Sequence, residues 1–425
     1  MTVQQKIINK NYVTLTTIQG HGHIELKELV GDRQICIWGA GFLGKVVFTS
    51  LTKQRFCVKY FCDLDLNNFK NRKLYDIEIL EPKSAIEKAR DGNIFFIICV
   101  SSHVREIRNQ CIDSGLQKNI DFITYNKIRR PEVVFDVTNF CDLRCPSCPQ
   151  SNLIQENERK NLLTFGDFKD IFNKLERELE FITKIEFGWW AEPTLNKDLG
   201  DMIKYCKNKV LTSVNTNLFN REAIDNLVEA EPDMLVVSVG GVKSDYEWNY
   251  LGSSWETLKN NLEYLAKSTV KTENYMGEVR VLFHKYKNSN KRPLKEICEN
   301  LSLKLTSTTG YLNPYEHYFN YSQGIKFDSK TKQVVQKLDW DLDEFLSEAK
   351  SQIGKPCLCQ RIFPIINADK SVALCHVYQS HRVVENVLKH NINELIGLRH
   401  SHSFCRKCQS LGLHRLDVDL IRSQR

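Results

Sequence analysis

No run of about 18 apolar residues occurs in the 425-residue chain, which excludes a membrane-spanning helix of ordinary length. The N-terminus, MTVQQKIINKNYVTL, lacks the basic stretch followed by an apolar core that marks a secretory signal, so the protein is expected to stay in the cytoplasm. Lys and Arg are scattered rather than gathered into a stripe, and a formal net charge of +7 is modest for this length; neither points to a nucleic acid. Anionic small substrates stay compatible with it. There is no low-complexity tract and no internal repeat of fixed period.

What is present is an ordinary soluble balance, with 42% apolar and 26% charged residues and enough apolar side chain for sizeable cores. A prior of about 150 residues per domain predicts two or three domains for this length, and the segmentation below favours three. Fifteen cysteines are many for a cytosolic chain. A reducing compartment argues against disulfides, leaving metal or redox work as the better explanation. Cys36, Cys57, Cys62, Cys99, Cys111, Cys206 and Cys298 sit singly among apolar or helical residues and read as structural thiols. The other eight form two clusters.

The first region after an N-terminal lead segment (1–31) covers 32–128. It opens with RQICIWGAGFLGKVVFTSL: an apolar strand, a turn with Gly39, Gly41 and Gly44, then a helix. A second strand, CVKYFCD, ends at Asp63, 19 positions after Gly44, and IFFIICVSS reads as a buried parallel strand. In a Rossmann-like unit of this kind the turn admits a pyrophosphate and Asp63 meets a ribose hydroxyl. The competing reading is a scaffold that keeps the turn for packing alone. The unit resembles the N-terminal domains found on sugar-modifying enzymes of surface-polysaccharide pathways, which implies a nucleotide or nucleotide-sugar ligand.

Arg130 and Pro131 mark a boundary. From there strand-like segments (EVVFDVT, ITKIEFGW, LTSVNT, DMLVVSVG, EVRVLF) alternate with helix-like ones (FGDFKDIFNKLEREL, LGDMIKYCK, REAIDNLVEA, SWETLKNNLEYLAK, LKEICENLS). Such alternation predicts a parallel sheet covered by helices, and five or six repeats predict an incomplete α/β barrel over 131–345. Catalytic groups then lie at the C-terminal ends of its strands. Residues 311–350 read as a connection with one acidic helix, WDLDEFLSEAK.

Cys141-Asp-Leu-Arg-Cys145-Pro-Ser-Cys148 follows the first barrel strand, on the face where catalysis is expected. At the chain's own cysteine frequency this CxxxCxxC would arise by accident roughly 0.02 times, so it is read as a site. A structural zinc is the first competitor, but such sites are closed by four ligands, and neither His nor a fourth Cys lies in the loop. Three thiolates on a four-iron cluster leave one iron free to bind a ligand.

This loop, with its position after the first strand, resembles the radical S-adenosylmethionine (SAM) superfamily over about 132–300. The resemblance implies that SAM chelates the open iron through its amino and carboxylate groups. The reduced cluster then cleaves the sulfonium, and a 5'-deoxyadenosyl radical abstracts hydrogen from substrate. Further segments are similar to family motifs. Gly188-Trp189-Trp190-Ala191-Glu192-Pro193 resembles the GGEP segment, with Trp190 and Ala191 in place of the glycines, and implies that Glu192 holds the SAM amino group. Asn215-Thr216-Asn217 resembles the TNG turn, with Leu218 at the glycine, and Asn217 joins the SAM-binding set. Ser238-Val239-Gly240-Gly241 resembles the SIDG segment, whose serine binds SAM. The Arg usual downstream for the methionine carboxylate falls at Tyr250 or Leu251, so Lys243 or another cation is expected to substitute. The aromatic usual before the third cysteine is Ser147.

The last 75 residues hold Cys357, Cys359, Cys375, Cys405 and Cys408. A Cys, a second about 18 positions on, and a distant CxxC can surround one metal centre if INADKSVALC forms a hairpin, for which Ala-Asp-Lys supplies the turn. Residues 350–425 resemble the twitch subdomain, the shortened SPASM extension of many radical SAM enzymes. That implies one auxiliary 4Fe-4S cluster on Cys357, Cys375, Cys405 and Cys408, with Cys359 a spare or alternative first ligand; structural zinc competes, since four thiolates close either site. A cluster with no open iron suits electron transfer. His376, His400 and His402 read as packed or solvated residues.

The expected fold is therefore α/β: a Rossmann-like parallel sheet, a partial (β/α)6 radical SAM barrel, and a small cysteine-rich twitch/SPASM-like domain. The expected function is SAM-dependent radical oxidation, dehydration or epimerisation of a small polar substrate, a sugar or nucleotide-sugar by association with the N-terminal unit. Its electron donor would be of flavodoxin or ferredoxin type, with neither nucleic acid nor membrane as partner. A peptide-modifying enzyme is the alternative, although no winged-helix leader-binding segment is evident in the first 130 residues. A noncatalytic iron-sulfur or zinc scaffold with a nucleotide-sensing domain is the third reading.

Overall fold

The computed structural model describes residues 26–100, 103–125, 131–150, 160–179, 181–272, 275, 277–355, 357 and 365–415. Cys359, Arg130 and most of the lead segment lie outside them. Two compact units partition the chain, one over 19–131 with 181–184 and one holding the remainder.

In the smaller unit, β1 (Gln34–Trp38), β2 (Val58–Cys62), β3 (Lys73–Leu74), β4 (Ile77–Leu80), β5 (Ile94–Ile98) and β6 (Phe122–Thr124) form one sheet in the order β3-β4-β2-β1-β5-β6. Every pairing is parallel except β3 with β4. All five residues of β5 are buried, as a strand covered on both faces requires. The helix α1 (Phe42–Lys53) follows β1 directly, and β1 lies between β2 and β5, so the chain reverses direction of growth at the β1/β5 crevice.

In the larger unit, β7 (Glu132–Asp136), β8 (Lys184–Phe187), β9 (Leu211–Thr216), β10 (Met234–Val239), β11 (Glu278–Lys285) and β12 (Lys304–Thr309) lie side by side in chain order. The helices α2 (Phe165–Glu178), α3 (Leu199–Cys206), α4 (Glu222–Ala230), α5 (Trp255–Lys271) and α6 (Arg292–Asn300) alternate with these strands. Each buries one stripe, as Ile224, Leu227 and Val228 do on α4. The sheet is extended at its β7 edge, where β13 (Ile366–Asn367) pairs in parallel, and β14 (Val372–Cys375) and β15 (Tyr378–Val384) follow antiparallel. The β13–β14 turn falls on Ala368, Asp369 and Lys370; Ser371 N–H and hydroxyl donate to the Asp369 carboxylate at 3.0 and 2.6 Å.

Residues 311–350 depart from the expectation of a connection with one helix. They hold α7 (Glu316–Ser322), α8 (Ser329–Lys337) and α9 (Leu342–Lys350), of which only the last was expected. Tyr318, Phe319, Val334, Leu338 and Phe345 pack with Cys375, Tyr378 and Cys408 in one core. The Tyr, Asn and Lys content hides a short-helix layer whose apolar residues are few but all turned to the same side. Two terminal helices, α10 (Ile392–Ser401) and α11 (Ser403–Ser410), complete the unit.

No described helix is long and apolar enough to cross a membrane.

Candidate functional site

The ends of β7 to β11 surround an open cavity, and Cys141, Cys145 and Cys148 all line it. The loop carrying them leaves β7 and is fixed at both ends. Arg144 N–H donates to the Leu251 carbonyl at 2.9 Å, and Cys148 N–H to the Cys145 carbonyl at 3.1 Å. The sulfur of Cys141 accepts from Leu143 N–H at 3.4 Å and from Asn217 Nδ2 at 3.7 Å. Burial pushes the Cys141 and Cys145 thiols above their usual range, with the Glu192 carboxylate adding to the effect on Cys141 and the neighbouring Cys148 on Cys145. Such thiols ionise readily only beside a positive metal centre.

Glu192, Asn217 and Ser238 line the same cavity. Glu192 is 3% exposed and its oxygens are already engaged. One accepts from Thr194 N–H, Thr194 Oγ1 and Thr216 Oγ1 at 3.1, 2.6 and 2.7 Å, and the other from Asn217 N–H at 2.8 Å. The carboxyl thereby ties the loop after β8 to the turn after β9. Burial lifts it to about 7 despite those donors, with Asp142 close by. Asn217 bridges to the cysteine loop through Asp142, Nδ2 to Oδ1 at 2.8 Å. Leu218 adopts the left-handed conformation of the glycine it replaces, φ +57°, and is buried. Its carbonyl is held by Asn261 Nδ2 at 2.8 Å.

Four residues escaped the sequence reading. Asp136, at the end of β7 and 2% exposed, accepts from Trp189 N–H at 2.6 Å and from Trp190 N–H at 3.2 Å. It anchors the segment whose glycines are missing. Burial raises its carboxyl to about 6, against the lowering effect of those amides and that of Ala191. Only its place at a strand end could have singled it out. Tyr286, after β11, sets its hydroxyl 3.3 Å from Ser147 Oγ, so an aromatic reaches the cysteine loop from another strand. His284 and Tyr311 stand in edge contact at 5.4 Å on the same wall. Lys243 does not supply the expected cation: it is exposed, and no Lys or Arg lines this cavity among the described residues. Tyr250 fills the position of the usual Arg and stacks on Tyr246 at 5.1 Å.

A second, small cavity is lined by Cys357, Cys375, Cys405 and Cys408 together, with Tyr378 and Arg399. Val377 N–H donates to Cys375 Sγ at 3.5 Å, and Arg399 Nε, buried, donates to the Leu374 carbonyl at 2.8 Å. Burial raises Cys405 to about 11, and Cys375 and Cys357 add to it. No three His, Cys, Asp or Glu side chains among the described residues close on a position for one metal ion, so both thiol groups are recognised by the cavities they share.

In the smaller unit Gly39 lies in the turn after β1, Gly44 in the first turn of α1, and Asp63 follows β2. A Cβ on Gly39 would lie 2.5 Å from the Cys99 carbonyl oxygen, and one on Gly44 only 1.9 Å from that of Gly39. Gly41 caps α1. The Asp63 carboxylate accepts Ala40 N–H at 2.8 Å and Asp65 N–H at 3.1 Å. Both glycines thus have a packing reason, and Asp63 bonds to the turn itself.

Residues 135–282, the stretch holding the three cysteines and the three loops around them, match the radical SAM superfamily. The chain carries a radical SAM domain. The enzymes of that superfamily use a 4Fe-4S cluster and SAM. Fe-coproporphyrin III synthase of Methanosarcina barkeri (strain Fusaro / DSM 804) is 27% identical over 124 residues, 28% of this chain. The match spans 30% of that relative's length. Among solved structures, anSMEcpe with bound AdoMet is 15% identical with a TM-score of 0.43, covering 67% of this chain and 88% of its own. Streptococcus suis SuiB bound to S-adenosylmethionine is 13% identical with the same TM-score, covering 75% and 78%.

Proposed function

We propose that the protein removes a hydrogen atom from a small polar substrate, a sugar or nucleotide-sugar, and completes an oxidation, dehydration or epimerisation with help from a second cluster. The observation that carries this reading is the sharing of one cavity by Cys141, Cys145, Cys148, Glu192, Asn217 and Ser238. When bound, a four-iron cluster with SAM supplies the 5'-deoxyadenosyl radical. The chain's own part is to hold three thiols on one loop and fix that loop through Asn217 and Asp142. Ser238 would meet the SAM ribose or methionine, and with Glu192 engaged by Thr194, Thr216 and Asn217, backbone carbonyls of 188–191 are better placed for the amino group.

The sugar assignment is supported by hydrogen-bonding side chains that line the same cavity, His284, Tyr286, Tyr311 and Ser147, which suit hydroxyls. Gly39, Gly41, Gly44 and Asp63 of the smaller unit would hold a nucleotide or nucleotide-sugar as a separate site. Cys357, Cys375, Cys405 and Cys408 would hold the auxiliary 4Fe-4S cluster, and an electron donor of flavodoxin or ferredoxin type would reduce the enzyme.

The test is 5'-deoxyadenosine formation by reduced, SAM-loaded enzyme against a panel of sugars and nucleotide-sugars. Expected is stimulation by one group of the panel, with deuterium from that substrate appearing in 5'-deoxyadenosine. Identical SAM cleavage with and without every member would remove the sugar assignment.

A further inference from the structure

Trp189 stands on the wall of the first cavity, 38% exposed, and its indole reaches His376, the residue after Cys375. Its Nε1–H donates to the carbonyl of His376 at 2.8 Å. The other end of that same peptide unit turns to sulfur, since Val377 N–H donates to Cys375 Sγ at 3.5 Å. One N–H···O bond, one peptide group and one N–H···S bond therefore join a side chain of the SAM cavity to a cysteine of the second site. The Trp189 ring also meets the His376 ring edge-on at 4.9 Å, and Trp190 at 6.3 Å. On the far side, Cys148 Sγ lies 3.9 Å from the Trp190 carbonyl oxygen.

We infer that Trp189 and the 376–377 peptide form the electron path between the substrate cavity and the cluster on Cys357, Cys375, Cys405 and Cys408, which rests on the reading of that site as an auxiliary cluster. Hydrogen bonds in series polarise one another. Donation to the His376 carbonyl makes Val377 N–H a stronger donor to sulfur, and hydrogen bonds to cluster sulfurs help set the reduction potential. For an alcohol substrate the balance is direct. The carbon radical left by hydrogen abstraction gives up one electron, the hydroxyl proton leaves to water, and the carbon becomes a carbonyl. The oxidised cluster gains that electron and returns it to a one-electron carrier of flavodoxin or ferredoxin type.

The experiment uses the full chain, reconstituted anaerobically, as wild type, Trp189→Phe and His376→Gln. Iron is counted, each cluster is titrated by electron paramagnetic resonance, and electron redistribution between clusters is timed after flash photoreduction with a deazaflavin. Phe keeps a ring but loses the N–H; the His376 variant keeps the backbone carbonyl and loses the imidazole. Expected in Trp189→Phe is full iron, a more negative auxiliary potential, an unmoved SAM-cluster potential and slower redistribution, with His376→Gln like wild type. An unchanged redistribution rate in Trp189→Phe overturns the path whatever the potential does. Loss of auxiliary iron in that variant also overturns it, by making Trp189 a packing residue. A wild-type chain holding one cluster defeats the auxiliary-site reading itself and the path with it; two clusters with no slowing defeat the path alone.

Discussion

Asp136 shows how much a single buried carboxyl does at the base of this site. Its acceptors hold the Trp189 and Trp190 amides, yet burial still lifts it to about 6, against about 3.9 in an unfolded chain. The folded state therefore keeps the proton more tightly than the unfolded one. Its stabilising contribution is complete below about pH 4 and is lost as pH rises through about 6, a change of ~3 kcal/mol. Asp136→Asn cannot ionise and is expected to lose that part of the slope in urea unfolding between these pH values. An unaltered slope would place the titration elsewhere. At the cysteines, Cys141→Ala is expected to remove about half of the bound iron and all 5'-deoxyadenosine formation while leaving the circular dichroism unchanged. The cysteines were legible because spacing of a rare residue carries information. Asp136 and Tyr286 were not, since a lone acid in EVVFDVT or a lone aromatic after EVRVLF says nothing until the strands are placed side by side.

Whole elements explain how the cavity of the C-terminal cysteines gets its shape. After α11, which carries Cys405 and Cys408, the chain turns at Gly412 with φ +75°, and a Cβ there would lie 1.8 Å from the carbonyl oxygen of Ala349 at the end of α9. Gly412→Ala combines a backbone clash with a strained φ and is expected to cost about 3 kcal/mol. It should lower the melting temperature and deplete iron from the C-terminal cysteines before the SAM cluster. Equal loss from both would mean that the turn supports the unit as a whole. The alternating strands and helices of the barrel segment were legible from their periods, and so was the Ala-Asp-Lys turn. The α7–α8 layer was not, because Tyr-rich and Lys-rich helices of seven and nine residues show little periodicity over so short a span. The change from a connecting segment to a packed roof matters, since Tyr318, Phe345 and Leu342 lie in the same core as Cys375 and Cys408.

Across the molecule, two groups of cysteines lie in one unit and the glycine turn in the other. Six strands in chain order, extended by a C-terminal hairpin, bring Cys375 onto the same sheet as the strand that leads to Cys141. No sequence pattern could have revealed this sharing of an edge, because β13 pairs with β7 across more than 200 positions. The substrate stayed illegible for a related reason. Its wall is assembled from Ser147, His284, Tyr286 and Tyr311, residues with no common motif.

The most direct measurement is anaerobic purification followed by iron and zinc counting, with 5'-deoxyadenosine assayed after addition of dithionite and SAM. About eight irons per chain, no zinc and product formation are expected for two four-iron clusters and radical chemistry. About four irons with one zinc would make the C-terminal site structural, and no iron with no product would contradict the central claim outright.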